Sequence, residues 1–133
     1  MPFIRITVLG QSAAPDQIRR LQQGTTELMV SVMRKPVEGV AVLVEQAAHG
    51  SWSIAGPLVG VAAHVDATIG LGTNTSDEKA QFIAEMWTVL RSALGPELQE
   101  ETYIVFHEID TRAYGRGGVT RAERDRRGQA SEV

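Results

Sequence analysis

A chain of 133 residues is one domain's worth of sequence, and 43% hydrophobic with 22% charged residues is the balance of an ordinary globular protein. The 13 basic and 16 acidic residues leave a formal charge of −3, which argues against a general nucleic-acid binder, because phosphate recognition needs a basic footprint. There is no cysteine, so disulfides, thiolate catalysis and cysteine–metal sites are excluded. His49, His64 and His107 lack a His-x-x-x-His spacing; no metal and no cofactor are expected. No run of about 18 apolar residues exists for a membrane span. The opening MPFIRITVLG carries Arg5 inside its apolar stretch, unlike a signal peptide. A cytoplasmic protein with no membrane partner is the expectation.

Residues 3–9 alternate, with Ile4, Ile6 and Val8 on one face and Arg5 and Thr7 on the other, the pattern of a half-buried strand. Pro15 and Asp16 open a helix. Its apolar stripe is Ile18, Leu21, Thr25, Leu28 and Val32. Gly24 weakens that helix by up to about 1 kcal/mol, and Pro36 marks its stop. VAVLV at 40–44 is a strand with no polar face. AAHGSWSIAGP, 47–57, is a loop or short hairpin, and 58–71 reads as one long β run. Thr75 with Glu78 forms a capping box. The helix behind it presents Phe82, Met86, Val89, Leu90 and Ala93 on one side, and Gly95-Pro96 ends it. TYIVFHEI, 102–109, is a strand and AYGRGG, 113–118, a glycine-rich turn. The tail from Thr120 is charged without apolar periodicity, which predicts a frayed end or one docked on a partner.

The order is β-α-β followed by β-α-β, and the halves resemble each other. Pro2 aligns with Val65, Ser12 with Thr75, Ala41 with Tyr103 and Trp52 with Tyr114. Right-handed crossovers then give an α/β fold: two tandem β-α-β units forming a four-stranded sheet with both helices on one face. The units are expected at about 2–56 and 58–118, inside a single domain of 1–119, with 120–133 as a tail. The other sheet face carries enough apolar residues to predict self-association.

Pro2 stands out. Initiator methionine is removed when a small residue follows, and Pro2 then offers a secondary amine. Desolvation and nearby cations lower an amine's pKa toward that of a useful general base. Pro2, the alternating strand, the helix, the apolar strand and the GSWSIAG loop together resemble the 4-oxalocrotonate tautomerase pattern, whose hairpin is Gly-x-aromatic-x-x-x-Gly. The repeat over 1–118 resembles the fused, two-unit members of the tautomerase superfamily, which includes macrophage migration inhibitory factor-like proteins.

The resemblance implies a homotrimer with sheets inward and active sites near subunit boundaries. It implies that Pro2 is the catalytic base and Trp52 the aromatic wall of the site. It also implies that Lys35 binds the substrate carboxylate, that the backbone N–H of Ile69 helps hold the substrate, and that Tyr103 lines the site. Each has a structural alternative: Trp52 as a hairpin anchor, Tyr103 as a core residue, Lys35 as a helix-end cation. His64 and His107 read as satisfied strand residues, and Arg112 and Arg116 as solvated or bound to a neighbouring subunit. The family's arginines before helix one and in the second strand are missing. Gln11 or Ser12 and Ala41 stand there, and Thr75 and Tyr103 stand at the corresponding places of the second unit.

The implied activity is keto–enol tautomerisation of a small 2-oxo acid, with a small anionic carboxylate as the partner molecule. Two alternatives stand beside it. One is a catalytically degenerate trimeric binding or structural protein. The other is a fused-family decarboxylase or hydratase acting on a small 3-oxo or unsaturated acid.

Overall fold

The computed structural model describes residues 2–10 and 14–128. Met1, Gln11 and Ser12 lie outside the described residues, as does the end of the tail from residue 129. Strand β1 (Phe3–Leu9) leads to helix α1 (Pro15–Ser31) and strand β2 (Ala41–Gln46). Strand β3 (Ala62–Gly70), helix α2 (Ser76–Leu94) and strand β4 (Tyr103–Ile109) repeat the unit. A small hairpin follows, β5 (Gly115–Arg116) with β6 (Val119–Thr120), and then helix α3 (Arg121–Arg126).

The sheet order is β2-β1-β3-β4. Each unit pairs its own strands in parallel, and the units meet at the antiparallel β1–β3 ladder. The expected α/β architecture is therefore present. With Ala41 matched to Tyr103, the parallel ladders match Phe3 to His64. Pro2 then corresponds to Ala63 and not to Val65. The helix caps follow the same shift, since Ala14 and not Ser12 occupies the place of Thr75.

The core lies between sheet and helices. Ile4, Ile6 and Val8 from β1 and Val65, Ala67 and Ile69 from β3 pack on Leu21 and Met29 of α1 and on Phe82, Met86 and Leu90 of α2. Full burial of one such side chain contributes about 1.5–3 kcal/mol. Thr75 caps α2 as expected: its hydroxyl accepts from the Glu78 N–H at 3.1 Å, and Glu78 accepts from the Thr75 N–H at 2.9 Å. Gly24 has a packing reason. A Cβ there would stand 2.9 Å from Val89 Cγ1, so the missing side chain lets α1 and α2 close.

Four expectations need correction. The long β run is shorter, because 58–61 belongs to a turn closed by the Ser53–Leu58 bridge and the Val59 N–H to Trp52 O bond. β2 does face outward on one side: Val42 and Val44 meet the core while Ala41 and Leu43 are exposed at a sheet edge. The open sheet face is mixed and not mainly apolar. Phe3 and Leu43 lie there beside an Arg5–Glu45 ion pair at 3.2 Å and an Asp66 carboxylate shared by His64 and His107. Finally, 120–128 is not frayed. The Thr120 hydroxyl caps α3 by accepting from the Glu123 N–H, and Ala122 N–H reaches back to Thr111 O.

Candidate functional site

Pro2 is buried at the head of β1, and its carbonyl accepts from the Ala41 N–H at 3.1 Å. Phe3 pairs with Thr68, so one step earlier in the antiparallel register Pro2 stands across from Ile69. The Ile69 side chain is 1% exposed and belongs to the core; only its backbone can serve a ligand.

Lys35 reaches this end of the sheet through the way α1 stops. The Lys35 N–H donates to Met29 O, closing a wide turn that puts Arg34 in the left-handed region at φ 59. That conformation costs a non-glycine residue about 1–2 kcal/mol. Arg34 is held there by Glu78, with Nε to Oε2 at 2.6 Å and Nη2 to Oε1 at 3.3 Å, and by Thr73 O. Glu78 is held well below the usual carboxylate range by Arg34, by the Thr75 N–H and by Asn74. The turn leaves Lys35 buried, 3% exposed. Its ammonium donates to Thr73 Oγ1 at 3.0 Å, and that hydroxyl donates to Gly70 O at 2.7 Å. Burial first, then the charges of Arg121 and Arg34, push the ammonium down to about 8, against a smaller opposing pull from Glu78.

Trp52 and Tyr103 are elsewhere. They line a cleft of about 560 Å³ with Thr7, Ala63, His64 and Glu101. Thr7 pairs with His64, and His64 with Tyr103. That cleft lies four residues along β1 from Phe3, or about 13 Å at strand rise. Tyr103 is 65% exposed and is not a core residue. The chain thus brings Pro2, Lys35 and Ile69 together and sets Trp52 and Tyr103 together at the other end of the sheet.

Arg112 is spent on Asp110 in an exposed, two-point ion pair, with Nε to Oδ1 at 3.0 Å and Nη2 to Oδ2 at 2.9 Å. His64 and His107 share Asp66, at 3.2 and 2.7 Å. Sequence reasoning missed Thr73, Tyr114 and Arg121, which lie around Lys35 or Gly70. The signal for the last was present: Thr120 with Glu123 repeats the Thr75–Glu78 spacing that marks a helix start. Among the described residues no group of His, Asp and Glu is placed to hold a metal ion, and no helix is long and apolar enough to cross a membrane.

Residues 2–62 match the family model described as tautomerase enzyme. No protein of curated function matches the sequence. Among solved structures, a fused 4-OT described as an asymmetric trimer superposes with a TM-score of 0.78 at 22% identity, covering 91% of this chain and 97% of its own. Pt0534, solved after inactivation by 2-oxo-3-pentynoate, gives 0.82 at 16% identity, with 91% and 98% covered. A macrophage migration inhibitory factor-like protein from Entamoeba histolytica gives 0.72 at 16% identity, with 90% and 97% covered. Identities this low speak to the fold.

Proposed function

We propose that this chain, a member of the tautomerase superfamily with two β-α-β units in tandem, interconverts the keto and enol forms of a small 2-oxo acid, with the Pro2 amine as base and acid. The observation that carries the reading is the setting of Pro2: buried at the head of a central strand, across from Ile69, at the end of the sheet where the ammonium of Lys35 is also buried. Removal of Met1 frees the amine. Pro2 is buried, and burial disfavours the charged form of an amine.

Neutral Pro2 takes the proton from the carbon next to the 2-oxo group. The electron pair moves onto the oxo oxygen as the enolate forms. Lys35, the Ile69 N–H and Tyr103 hold the carboxylate and that oxygen. Protonated Pro2 then gives that proton to the enolate oxygen, which completes the enol; in the reverse direction neutral Pro2 takes the enol O–H proton and delivers it to the carbon, and either way the amine ends neutral. A well-placed oxyanion donor contributes about 2.7–4 kcal/mol to such a step.

A small acid cannot span the distance from Pro2 to the Trp52–Tyr103 cleft of the same chain. We therefore read the working unit as a homotrimer in which the cleft of one chain meets Pro2 of its neighbour. The bare edge strands β2 and β4 are the surfaces such an assembly covers. The fused 4-OT relatives described as trimers support this reading.

The test is turnover of phenylenolpyruvate and 2-hydroxymuconate by the wild-type protein and Pro2→Ala, together with intact mass before and after a 2-oxo-3-alkynoate. Loss of one methionine, one adduct per chain and an inactive Pro2→Ala support the reading. A retained Met1, or turnover unchanged in Pro2→Ala, overturns it.

A further inference from the structure

Only three polar residues are buried among the described residues: Thr25, Lys35 and Arg121. Thr25 bonds to Met86 Sδ and belongs to the helix interface. The other two are cations, and they are close enough that Arg121 depresses the Lys35 ammonium. Burying two like charges side by side is unfavourable unless an anion joins them.

Arg121 is brought there by the hairpin. Its N–H donates to Tyr114 O at 3.0 Å, and its Nε donates to Asp125 Oδ1 at 2.8 Å. One end of the guanidinium is thereby anchored. Nη1 is buried and finds no hydrogen-bond partner among the described residues. Tyr114 Oη is buried as well, and it lies against the guanidinium, whose charge it supports through a side-chain contact. That hydroxyl sits against Gly70: a Cβ at position 70 would come within 2.5 Å of it. Gly70 follows Ile69, and its carbonyl takes the Thr73 hydroxyl that Lys35 holds. The Arg121 guanidinium, the Tyr114 hydroxyl and the Lys35 ammonium therefore surround the Gly70 end of β3. Asp125 meets part of this charge, but the buried Nη1 finds no acceptor of good geometry, and a carboxylate supplies that acceptor and balances the Lys35 ammonium.

We propose that Arg121 and Tyr114, carried in by the C-terminal segment, complete an anion site with Lys35 that takes the carboxylate of the substrate. The proposal rests on the reading of the Pro2 end as the active site and adds to it the arginine that the expected positions lack. Arg121 Nη1 and Tyr114 Oη donate to the carboxylate, and Lys35 balances its charge. The site selects acids whose carboxylate adjoins the oxo carbon, and the C-terminal segment becomes a specificity element.

The experiment uses the full chain and an inert acid, 3-phenylpropanoate, with inorganic phosphate and chloride as comparison anions. Calorimetry at pH 8, in buffers of different ionisation enthalpy, gives affinity and proton uptake together. The wild-type protein binds the carboxylate in preference to the other anions and takes up part of a proton, because the anion raises the Lys35 pKa. Arg121→Gln weakens binding about 10- to 150-fold, the range of a charge-assisted hydrogen bond. Tyr114→Phe weakens it about 2- to 10-fold. Arg112→Gln, whose guanidinium is spent on Asp110, leaves it unchanged. If Arg121→Gln does not fold, Tyr114→Phe and Arg121→Lys decide by the same readouts.

No binding by the wild-type protein overturns the proposal. So does an Arg121→Gln or Tyr114→Phe protein with unaltered affinity and proton uptake, or tighter binding of chloride or phosphate. Binding that depends on Arg121 in a protein that turns over no enol leaves the anion site standing and removes the tautomerase reading. Turnover without such binding does the reverse.

Discussion

Lys35 shows how one residue carries opposed demands. Its ammonium is pushed down to about 8, chiefly by burial, from an ordinary value of 10.5. Between these values the unfolded chain binds more protons than the folded one. Stability therefore rises with pH across that window, and below about 8 the folded state bears the full penalty of the buried charge. Lys35→Met should accordingly stabilise the protein at pH 7 by about 1–3 kcal/mol, with the gain shrinking in denaturant titrations as pH approaches 10.5. The same change should lower kcat/KM for a monocarboxylate enol about 10- to 150-fold, the value of a charge-assisted bond to the substrate. In the wild-type protein KM should climb above about pH 8 as the ammonium loses its proton. A Lys35→Met protein with unchanged kinetics would leave the lysine as a helix-end cation only.

At the level of elements, the two helices differ in how they are specified. Helix α2 is capped by Thr75 and Glu78 in reciprocal bonds, and Thr75→Ala should cost about 0.5–2 kcal/mol in chemical unfolding. Helix α1 begins at Ala14 and Pro15 with no side-chain acceptor at the cap; the Gln17 amide oxygen accepts from the Ala14 N–H instead. Gly24 lowers the intrinsic propensity of α1, so on helix preference alone Gly24→Ala should stabilise by up to about 1 kcal/mol. The approach of Val89 Cγ1 to within 2.9 Å of the new Cβ reverses the sign, since overpacking costs about 1–3 kcal/mol. We expect Gly24→Ala to lower Tm and the pair Gly24→Ala with Val89→Ala to lose less than the two single changes added together, which a double-mutant cycle reads directly.

At the scale of the whole molecule, the separation of Pro2 from Trp52 and Tyr103 is the feature with the largest consequence. If the active site is shared between chains, Pro2→Ala and Trp52→Ala proteins, each inactive alone, should regain turnover when unfolded together and refolded as a mixture. A site confined to one chain shows no such rescue. Light scattering at micromolar concentration should give three chains per particle. The open face matters here as well. It is a mixture of Phe3 and Leu43 with the Arg5–Glu45 pair and the Asp66–His64–His107 group. His107 above all, with His64, holds the Asp66 carboxyl below its usual range.

Much of this molecule was legible before folding. Alternation in 3–9 put Ile4, Ile6 and Val8 inward because a strand has a period of two, and the Thr75–Glu78 spacing located α2 because a cap is a local bond. Both are short-range constraints that the chain carries wherever it goes. The resemblance singled out Pro2, Lys35 and Ile69; strand register sets Pro2 across from Ile69, and the turn that ends α1 brings Lys35 to the same end of the sheet. Other features depend on which strand lies beside which. Ala63 rather than Val65 matches Pro2 because ladder pairing, and not residue count, aligns the units. Val89 justifies Gly24 from another helix. Tyr103 falls far from Pro2 because β3 and β4 run antiparallel to β1, and Trp52 because it follows the far end of β2, which runs parallel to β1. Arg121, in a stretch with no apolar rhythm, is buried beside Lys35 only once the hairpin turns the C-terminal segment back toward Gly70. Periodicity and caps are local physics and can be read from order alone; the charge that surrounds Lys35 is set by chain segments that only the tertiary structure brings together.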